Sequence, residues 1–578
     1  MVSFRKSLLL TALLVLVTGI AAAQAVQPLS CTANAGVPPI ARAEGIAEEV
    51  GQVVITCTGG NRAPQDAVLP TINVQVFLNT NLTSRLYAAT TGLGPHSEAL
   101  LLIDDPQPTQ QTLCPDVDAG CPNTTANYVG TLSGNTPSPF AQELTYINGG
   151  PNVFRAKHGS QLPGQLQNSV TWLGVPFNAP GTAGTRTLRL SNIRANASAL
   201  ATAGNFIPST IAMAISISGT ASLPLAQTQL TVAFVQAGLD FTVSKRTYNQ
   251  CELPTPSQAF SIKFSERFGT AFRPVGGGAQ SMPNGIYNTE SMFSNTTQLP
   301  SPASTIGYGV ASQETRFQAS FTNIPTGVTL TLGTPTTTGG LTVNLISGTT
   351  GSVINISNQA ATVVWGVVTA NPNQLESVTV PISVSWNSLP GLGTALVRGD
   401  YSPLSSVFTA STSAPVPRFV PNAADPLEAF TIVPCQTNLL FPYVTNQAGF
   451  DTGLVVSNTS LDPYGTAPQT GPCTMFYYGK TAAGASFVDN FTTTSSVAAG
   501  EHLIWLLSAG GSHGAPVTPG FQGYLIVRCN FQFAHGFAFV SDLGAQRLAM
   551  GYIPLVLDQN VWGNGPTRTK VQSEALNQ

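Results

Sequence analysis

Ser377–Trp386 reads SVTVPISVSW. It is short, rich in β-branched residues, and reads as a β-strand. The same kind of text recurs in both directions from it. Upstream lie Val53–Cys57 (VVITC), Thr71–Leu78 (TINVQVFL), Thr185–Leu190 (TRTLRL), Ile211–Ser218 (IAMAISIS), Gln229–Val235 (QLTVAFV), Ser261–Ser265 (SIKFS), Val328–Leu332 (VTLTL) and Thr362–Val368 (TVVWGVV). Downstream lies Tyr524–Cys529 (YLIVRC). Most are bounded by Gly, Pro, Asn or Ser. Long helical periodicity is absent, and 43 prolines and 55 glycines interrupt almost every segment that could carry it. The expected fold is all-β, built as tandem β-sandwich domains of Ig-like or jelly-roll-like type.

Composition fits that expectation. Hydrophobic residues make up 42% of the chain, enough for true cores, while charged residues make up only 8%. Disorder needs the reverse balance. The formal charge is -3. With so few basic residues and no basic run, the chain is a poor candidate for nucleic-acid binding, where phosphate contacts supply most of the affinity.

The first residues have the layout of an export signal. Arg5 and Lys6 supply the positive end, Leu8 to Ile20 the apolar run, and Ala23-Gln24-Ala25 a small-residue cleavage pattern. The run is short for a span, which needs about 20 apolar residues. Cleavage after Ala25 is expected, leaving a mature chain of net charge near -5, with 21 basic and 26 acidic residues. Cys31 is a poor lipoprotein cysteine because Pro28 stands where an aliphatic residue is needed. No later stretch reads as a membrane span, so the mature protein is expected outside the cell or at its surface, or in the periplasm.

In that compartment the eight cysteines read as disulfides. Cys114 and Cys121 bracket a short Pro/Asp/Gly loop and are expected to pair, and Cys31 and Cys57 form the natural second pair. Cys251, Cys435, Cys473 and Cys529 allow three connectivities. Cys473–Cys529 is preferred because both lie in strand-like text of one domain, which leaves Cys251 with Cys435. Zinc is the alternative, but no CxxC pair or Cys/His cluster supports it. No cofactor is expected.

The chain divides into a signal peptide (1–25), a first β domain (26–240), a second (241–410), a Pro-rich linker (411–423, STSAPVPRFVPNA), a C-terminal sandwich (424–560) and a polar tail (561–578). A faint repeat supports the first division. Thr185-Arg186 leads to Ser191-Asn192-Ile193, and Thr315-Arg316 leads to Thr322-Asn323-Ile324. Two long loops, around Ser133–Pro180 and Thr270–Gln313, are candidate binding surfaces.

The last domain has the most distinctive text. Cys435-Gln436-Thr437-Asn438 precedes LLFPYVTNQAGFDTGLVVSNTS (Leu439–Ser460), and FQGYLIVRCNFQFAHGFAFVSD (Phe521–Asp542) closes it. These residues resemble the small β-sandwich modules of uncharacterised exported proteins of soil bacteria, Acidobacteria in particular. The resemblance implies export and a sandwich fold, and it implies no functional residue. Within this text Phe531, Phe533, His535, Phe537 and Phe539 alternate with small residues, so a continuous strand would place them on one face. The reading taken is that this aromatic face is core. A platform for stacking sugar rings is the sharper alternative.

Catalytic signals are weak. Gly510-Gly511-Ser512-His513-Gly514 matches G-x-S-x-G, but Ala515-Pro516 follows where a nucleophile elbow needs a helix. His96, His158, His502, His513 and His535 show no metal spacing, and His535 and Asp542 fall on opposite faces of an unbroken strand. Asp104-Asp105 and Asp116-x-Asp118 read as solvated turns rather than a Ca²⁺ loop. Glu48, Glu49 and Glu266 read as surface or strand-end acids. Sequons such as those at Asn123, Asn295 and Asn458 arise by chance in a chain this rich in Asn, Ser and Thr.

The expected function is that of an exported, non-enzymatic structural or surface-interaction protein of adhesion type. Its expected partners are cell-surface or matrix components or glycans. The alternatives are a carbohydrate-binding protein using exposed Trp172, Trp365, Trp386 or Trp505, and an extracellular hydrolase. Oligomeric state is not readable from the residues.

Overall fold

A computed structural model describes residues 27–63, 68–89, 94–121, 150–200, 209–251, 254, 258–275, 293, 307–387 and 389–557. The signal peptide, the polar tail, Asn123, Asn295, residues 133–149 of the first expected loop and residues 276–292 and 294–306 of the second lie outside the described residues. The remainder of the first, 150–180, carries the strands Val153–Arg155, Lys157–His158 and Ser169–Pro176 rather than a long loop. Among the described residues every regular element is a strand or a short 3₁₀ turn. No helix there is long and apolar enough to cross a membrane. Each strand read from the sequence falls within a strand of the fold or within one residue of it.

Among the described residues, six main sheets pair into three sandwiches, each over its own apolar cluster. In the first, one sheet runs Ser30–Asn34, Val53–Gly59, Gly181–Ser191, Leu100–Ile103, Val153–Arg155. Its partner sheet is centred on Ser169–Pro176, Thr71–Leu78 and Ser209–Gly219. The strand alternation builds the core directly. Ile72, Val74, Val76 and Leu78 point inward and their odd-numbered neighbours outward. In the second sandwich, Phe260–Glu266 and Ser377–Ser385 pair in one sheet, and Gly393–Ser402, Arg316–Thr322 and Ala361–Thr369 form the centre of the other. Its core is aromatic, with Phe264 stacked on Phe317 at 5.3 Å.

The third sandwich is the smallest. One sheet has the order Ser486–Thr492, Cys473–Lys480, Gln522–Cys529, Thr437–Thr445, Leu555–Leu557. The other has the order Gly510–Gly511, His502–Leu506, Asp451–Asn458, Ala534–Ser541, Ala549–Tyr552. All its pairings are antiparallel.

The segment expected to be a linker is built into the body of the protein. Val416 and Phe419 are buried, Val416 O accepts from Ser312 N, and Ile46 N donates to Arg418 O. Arg418 is itself buried and donates to Val407 O and Thr409 O. Beyond it, Leu427–Val433 hydrogen-bonds with Gly393–Ser402 in the second sandwich. The ladder of that sandwich therefore runs to Val433, past the position 424 at which the sequence places the C-terminal sandwich.

The faint repeat has a structural counterpart. Asn192 and Asn323 end their strands with φ of 59° and 56°, and Ile193 and Ile324 turn into the cores behind them. Asn tolerates this left-handed backbone better than other side-chain-bearing residues.

Disulfides join Cys31 to Cys57, Cys114 to Cys121, Cys251 to Cys435 and Cys473 to Cys529. Cys31–Cys57 and Cys473–Cys529 each bridge residues directly opposite one another on adjacent strands.

Candidate functional site

The residues that carried catalytic and binding signals are mostly engaged in holding the fold. Ser512 Oγ accepts from Ile504 N at 2.8 Å and faces the carbonyls of Ile504 and His502. A hydroxyl held on the backbone of the next strand is not a poised nucleophile. His513 instead contacts Ser495 Oγ through Nδ1 at 2.9 Å. Asp542 accepts three backbone N–H bonds from its own turn, those of Gly544, Gln546 and Leu548, and His535 is exposed on the sheet. Asp104 pairs with Arg186, Asp105 with Arg189, and Asp118 with Lys157. Asp116 organises its turn by accepting from Asp118 N and Ala119 N. Among the described residues no group of three or more His, Cys, Asp or Glu side chains could hold a metal ion. Asn458 is buried and donates to Gln469 O and Val497 O.

Three expectations are corrected. The first concerns acids. Glu48 and Glu266 are buried, and Glu49 is half-buried. Burial pushes the Glu48 carboxyl up, but the charge and hydrogen bonds of Arg42 outweigh this and hold it below its ordinary value. Burial pushes Glu266 up to about 7, against the N–H bonds it accepts from Phe272 and Glu376. These acids belong to a polar layer between the first two sandwiches. There Arg194 pairs with Glu98, and His96 Nε2 meets Tyr308 Oη at 2.7 Å.

The second correction concerns tryptophan. Trp172, Trp365, Trp386 and Trp505 are all buried. Trp505 Nε1 donates to Tyr477 Oη inside the third core. None can serve as a sugar platform at the surface.

The third correction concerns the aromatic strand. Phe531 is buried, but Phe533 takes φ 60° and breaks the alternation. When the strand resumes at Ala534–Ser541 it is turned over. Ala534, Ala538 and Val540 face inward, while Phe537 and Phe539 are 45% and 46% exposed. The small inner face lets the sheets approach closely. A Cβ on Gly536 would lie 2.8 Å from both Phe441 Cζ and Pro554 Cγ.

This inversion creates a surface feature. The register sets Ile504, Val455 and Phe537 in one row across the sheet, and Leu506, Gly453 and Phe539 in the next. Ile504 is 51% and Leu506 42% exposed, and Val455 is half-buried. Glycines flatten the face. Phe537 leans over the neighbouring strand so that its Cζ lies 2.5 Å from where a Cβ on Gly551 would stand. His502, Ser457 and His535 form a polar row along one side, with His502 Nδ1 2.9 Å from Ser457 Oγ.

Two grooves open on the same sandwich, of about 490 and 450 Å³, and they share Tyr443, Gln447 and Gln522. Tyr443 projects there because the register slips between Phe441 and Val444. Pro442 lies in that bulge, where its missing N–H costs the ladder nothing. Pro442-Tyr443 within an otherwise apolar strand is the signal that could have pointed to this site from the residues alone.

No protein-family model matches the sequence, and no curated protein matches it. Among solved structures, the chain is similar to the C-terminal domain of the AgI/II polypeptide BspA of Streptococcus agalactiae, at 7% identity and a TM-score of 0.22, covering 65% of this chain and 95% of that one. It is also similar to the major pilin subunit BcpA of Bacillus cereus, at 8% identity and a TM-score of 0.17, covering 70% and 86%. The T6 backbone pilin of Streptococcus pyogenes matches at 8% identity and a TM-score of 0.17, covering 85% and 81%. The all-β, tandem-sandwich architecture is defined by the chain's own sheets rather than by these scores.

Proposed function

We propose that this is an exported, non-enzymatic surface-interaction protein whose C-terminal sandwich makes the contact. The observation that carries the reading is the solvent-facing apolar surface formed by Val455, Ile504, Leu506, Phe537 and Phe539. Large contiguous apolar patches on a soluble protein mark interaction sites. The leader-like N-terminus and the disulfides support placement outside the cytoplasm or at the cell surface. The partner class is a cell-surface or matrix component. The grouping with exported sandwich proteins of soil bacteria belongs to the same reading, on the Leu439–Ser460 and Phe521–Asp542 text.

The test has two parts. Antibody labelling of intact producing cells should detect the chain at the surface. Purified labelled protein should bind isolated cell envelopes, and Phe537→Ser with Phe539→Ser should abolish that binding without lowering the melting temperature. A chain found only in the cytoplasm, or envelope binding untouched by the double substitution, would overturn the proposal.

A further inference from the structure

The grooves beside Tyr443 are a second kind of surface. The larger has no Asp, Glu, Lys, Arg or His in its lining, and the smaller has Lys480 alone. Their volumes fall within the ~300–1,000 Å³ range of ligand sites. Aromatic side chains stand along both. Tyr443 is 42% exposed, Phe450 is half-buried in the larger groove, and Tyr524 is 42% exposed in the smaller.

The aromatic walls are held in place. Tyr443 O accepts from Tyr552 Oη at 2.5 Å, fixing the bulge that presents the ring. Tyr524 stacks on Tyr478 with centroids 5.1 Å apart and planes 18° from parallel. Gln447 is anchored by donating Nε2 to Gly520 O at 2.8 Å, and its Oε1 has no hydrogen-bond partner among the described residues. Gln522 Nε2 is 3.5 Å from Tyr443 Oη, at the limit of a hydrogen bond.

This chemistry restricts the guest. A purely apolar ligand would cover amides without pairing them, which is unfavourable. A charged ligand would find no opposite charge in the larger groove. A guest with apolar faces and hydroxyl edges satisfies both conditions, by stacking on the rings and bonding to the amides. Two grooves on either side of one tyrosine suit a chain rather than a single ring. We infer that the paired grooves around Tyr443 bind a neutral, linear polysaccharide. The inference rests on the surface-interaction reading for its location outside the cell, and it adds a ligand class at a site separate from the Phe537–Phe539 face.

Native affinity electrophoresis of the full mature chain in gels containing hydroxyethylcellulose or glucomannan tests it, with alginate as the charged comparison. The neutral polymers should retard the protein and alginate should not. Tyr443→Ala and, separately, Gln522→Ala should weaken retardation about tenfold or more, as loss of a central anchor does. Leu375→Ser, on the second sandwich, should leave it unchanged. Both groove residues are solvent-exposed, so an unchanged melting temperature should accompany both losses. No retardation by either neutral polymer, or equal retardation in correctly folded Tyr443→Ala, overturns the inference. Retardation by alginate alone, or a dimer in sedimentation that Tyr443→Ala dissolves, overturns it in favour of a charged glycan or a second copy of the chain. Envelope binding that persists while polysaccharide binding fails sinks the groove and leaves the surface-interaction reading standing.

Discussion

Arg42 and Glu48 form an ion pair at 2.6 Å in which neither side chain reaches solvent. The pair also ties two sandwiches together. Arg42 Nη1 donates to Ala271 O and to Thr315 Oγ1, both in the second sandwich. Its guanidinium lies 4.7 Å from the ring centroid of Phe419, in the Pro-rich strap that crosses the junction. The first two sandwiches are thus joined by buried charge, hydrogen bonds and a cation–π contact rather than by a loose hinge.

Removing one member should therefore cost much more than removing both. Arg42→Met leaves Glu48 buried without its counter-ion and is expected to cost about 3–5 kcal/mol. Arg42→Met with Glu48→Leu should recover most of that loss, because no orphaned charge remains. Chemical denaturation of Arg42→Met, Glu48→Leu and the double variant, each against wild type, gives the coupling. A double variant as unstable as Arg42→Met would show that the ion pair is not the relevant interaction.

His96 should make the same junction acid-sensitive. Gly94 O can only accept, so Nδ1 carries the ring proton and donates at 3.0 Å, and Nε2 accepts from Tyr308 Oη. Both nitrogens are satisfied in the neutral form. Burial lowers the pKa to about 4 despite the Gly94 bond, and Arg155 and Lys157 lower it further. The ring also stacks on Tyr87 at 5.1 Å. The unfolded chain takes up this proton near the ordinary imidazole value of 6.5, and the folded chain does so only near 4. The stabilising contribution is therefore complete above about pH 6.5 and lost as pH falls through about 4, with an upper bound of about 3 kcal/mol.

Glu266 acts in the opposite sense. Its folded pKa is raised to about 7, so its contribution is complete below the ordinary carboxyl value of 4.5 and lost as pH rises through about 7. The two windows overlap and partly cancel, so the wild-type profile alone is not diagnostic. The measurement is the difference in stability between wild type and His96→Gln at pH 4, 5.5 and 7. It should shrink steadily on acidification, and a constant difference would remove His96 from the account.

The cross-strand disulfide Cys473–Cys529 should stabilise the third sandwich alone. It closes a separation of 56 residues within one core cluster that shares no residue with the second. Cys473→Ala with Cys529→Ala should cost about 2–4 kcal/mol. Calorimetry should show the loss in one transition, with the first two sandwiches unaffected. A uniform shift of the whole melting profile would mean that the third sandwich does not unfold separately.

Strand identity was legible in the sequence because it is local. Thr71–Leu78 and Ser377–Trp386 carry β-branched residues at the density and length of strands. The junction was not legible, because its partners are distant. Arg42 and Thr315 are 273 positions apart, and nothing near Glu48 or Glu266 marks them as buried. The Pro-rich 411–423 segment misled for a related reason. Proline punctuates a packed strap as readily as a free linker, and only tertiary contacts to Val416 and Arg418 distinguish the two. Tyr443 was missed because its exposure comes from a bulge rather than from residue type.

The sharpest test concerns the strand Ala534–Ser541, where sequence and structure assign opposite faces to the core. Read as continuous alternation from Phe531, the strand buries Phe537, and Phe537→Ser would cost several kcal/mol, as large core aromatics do when truncated. The left-handed Phe533 reverses the strand, so Phe537 lies in the open and Gly536 against the opposite sheet. Phe537→Ser should then change stability by less than about 1 kcal/mol. Gly536→Val should destabilise by about 1–3 kcal/mol or more, because its side chain would meet Phe441 and Pro554. Thermal unfolding of these two variants decides the orientation, and with it whether Phe537 and Phe539 are available to a partner. A large loss for Phe537→Ser, with little for Gly536→Val, would return the aromatic face to the core and remove the observation on which the proposed contact surface stands.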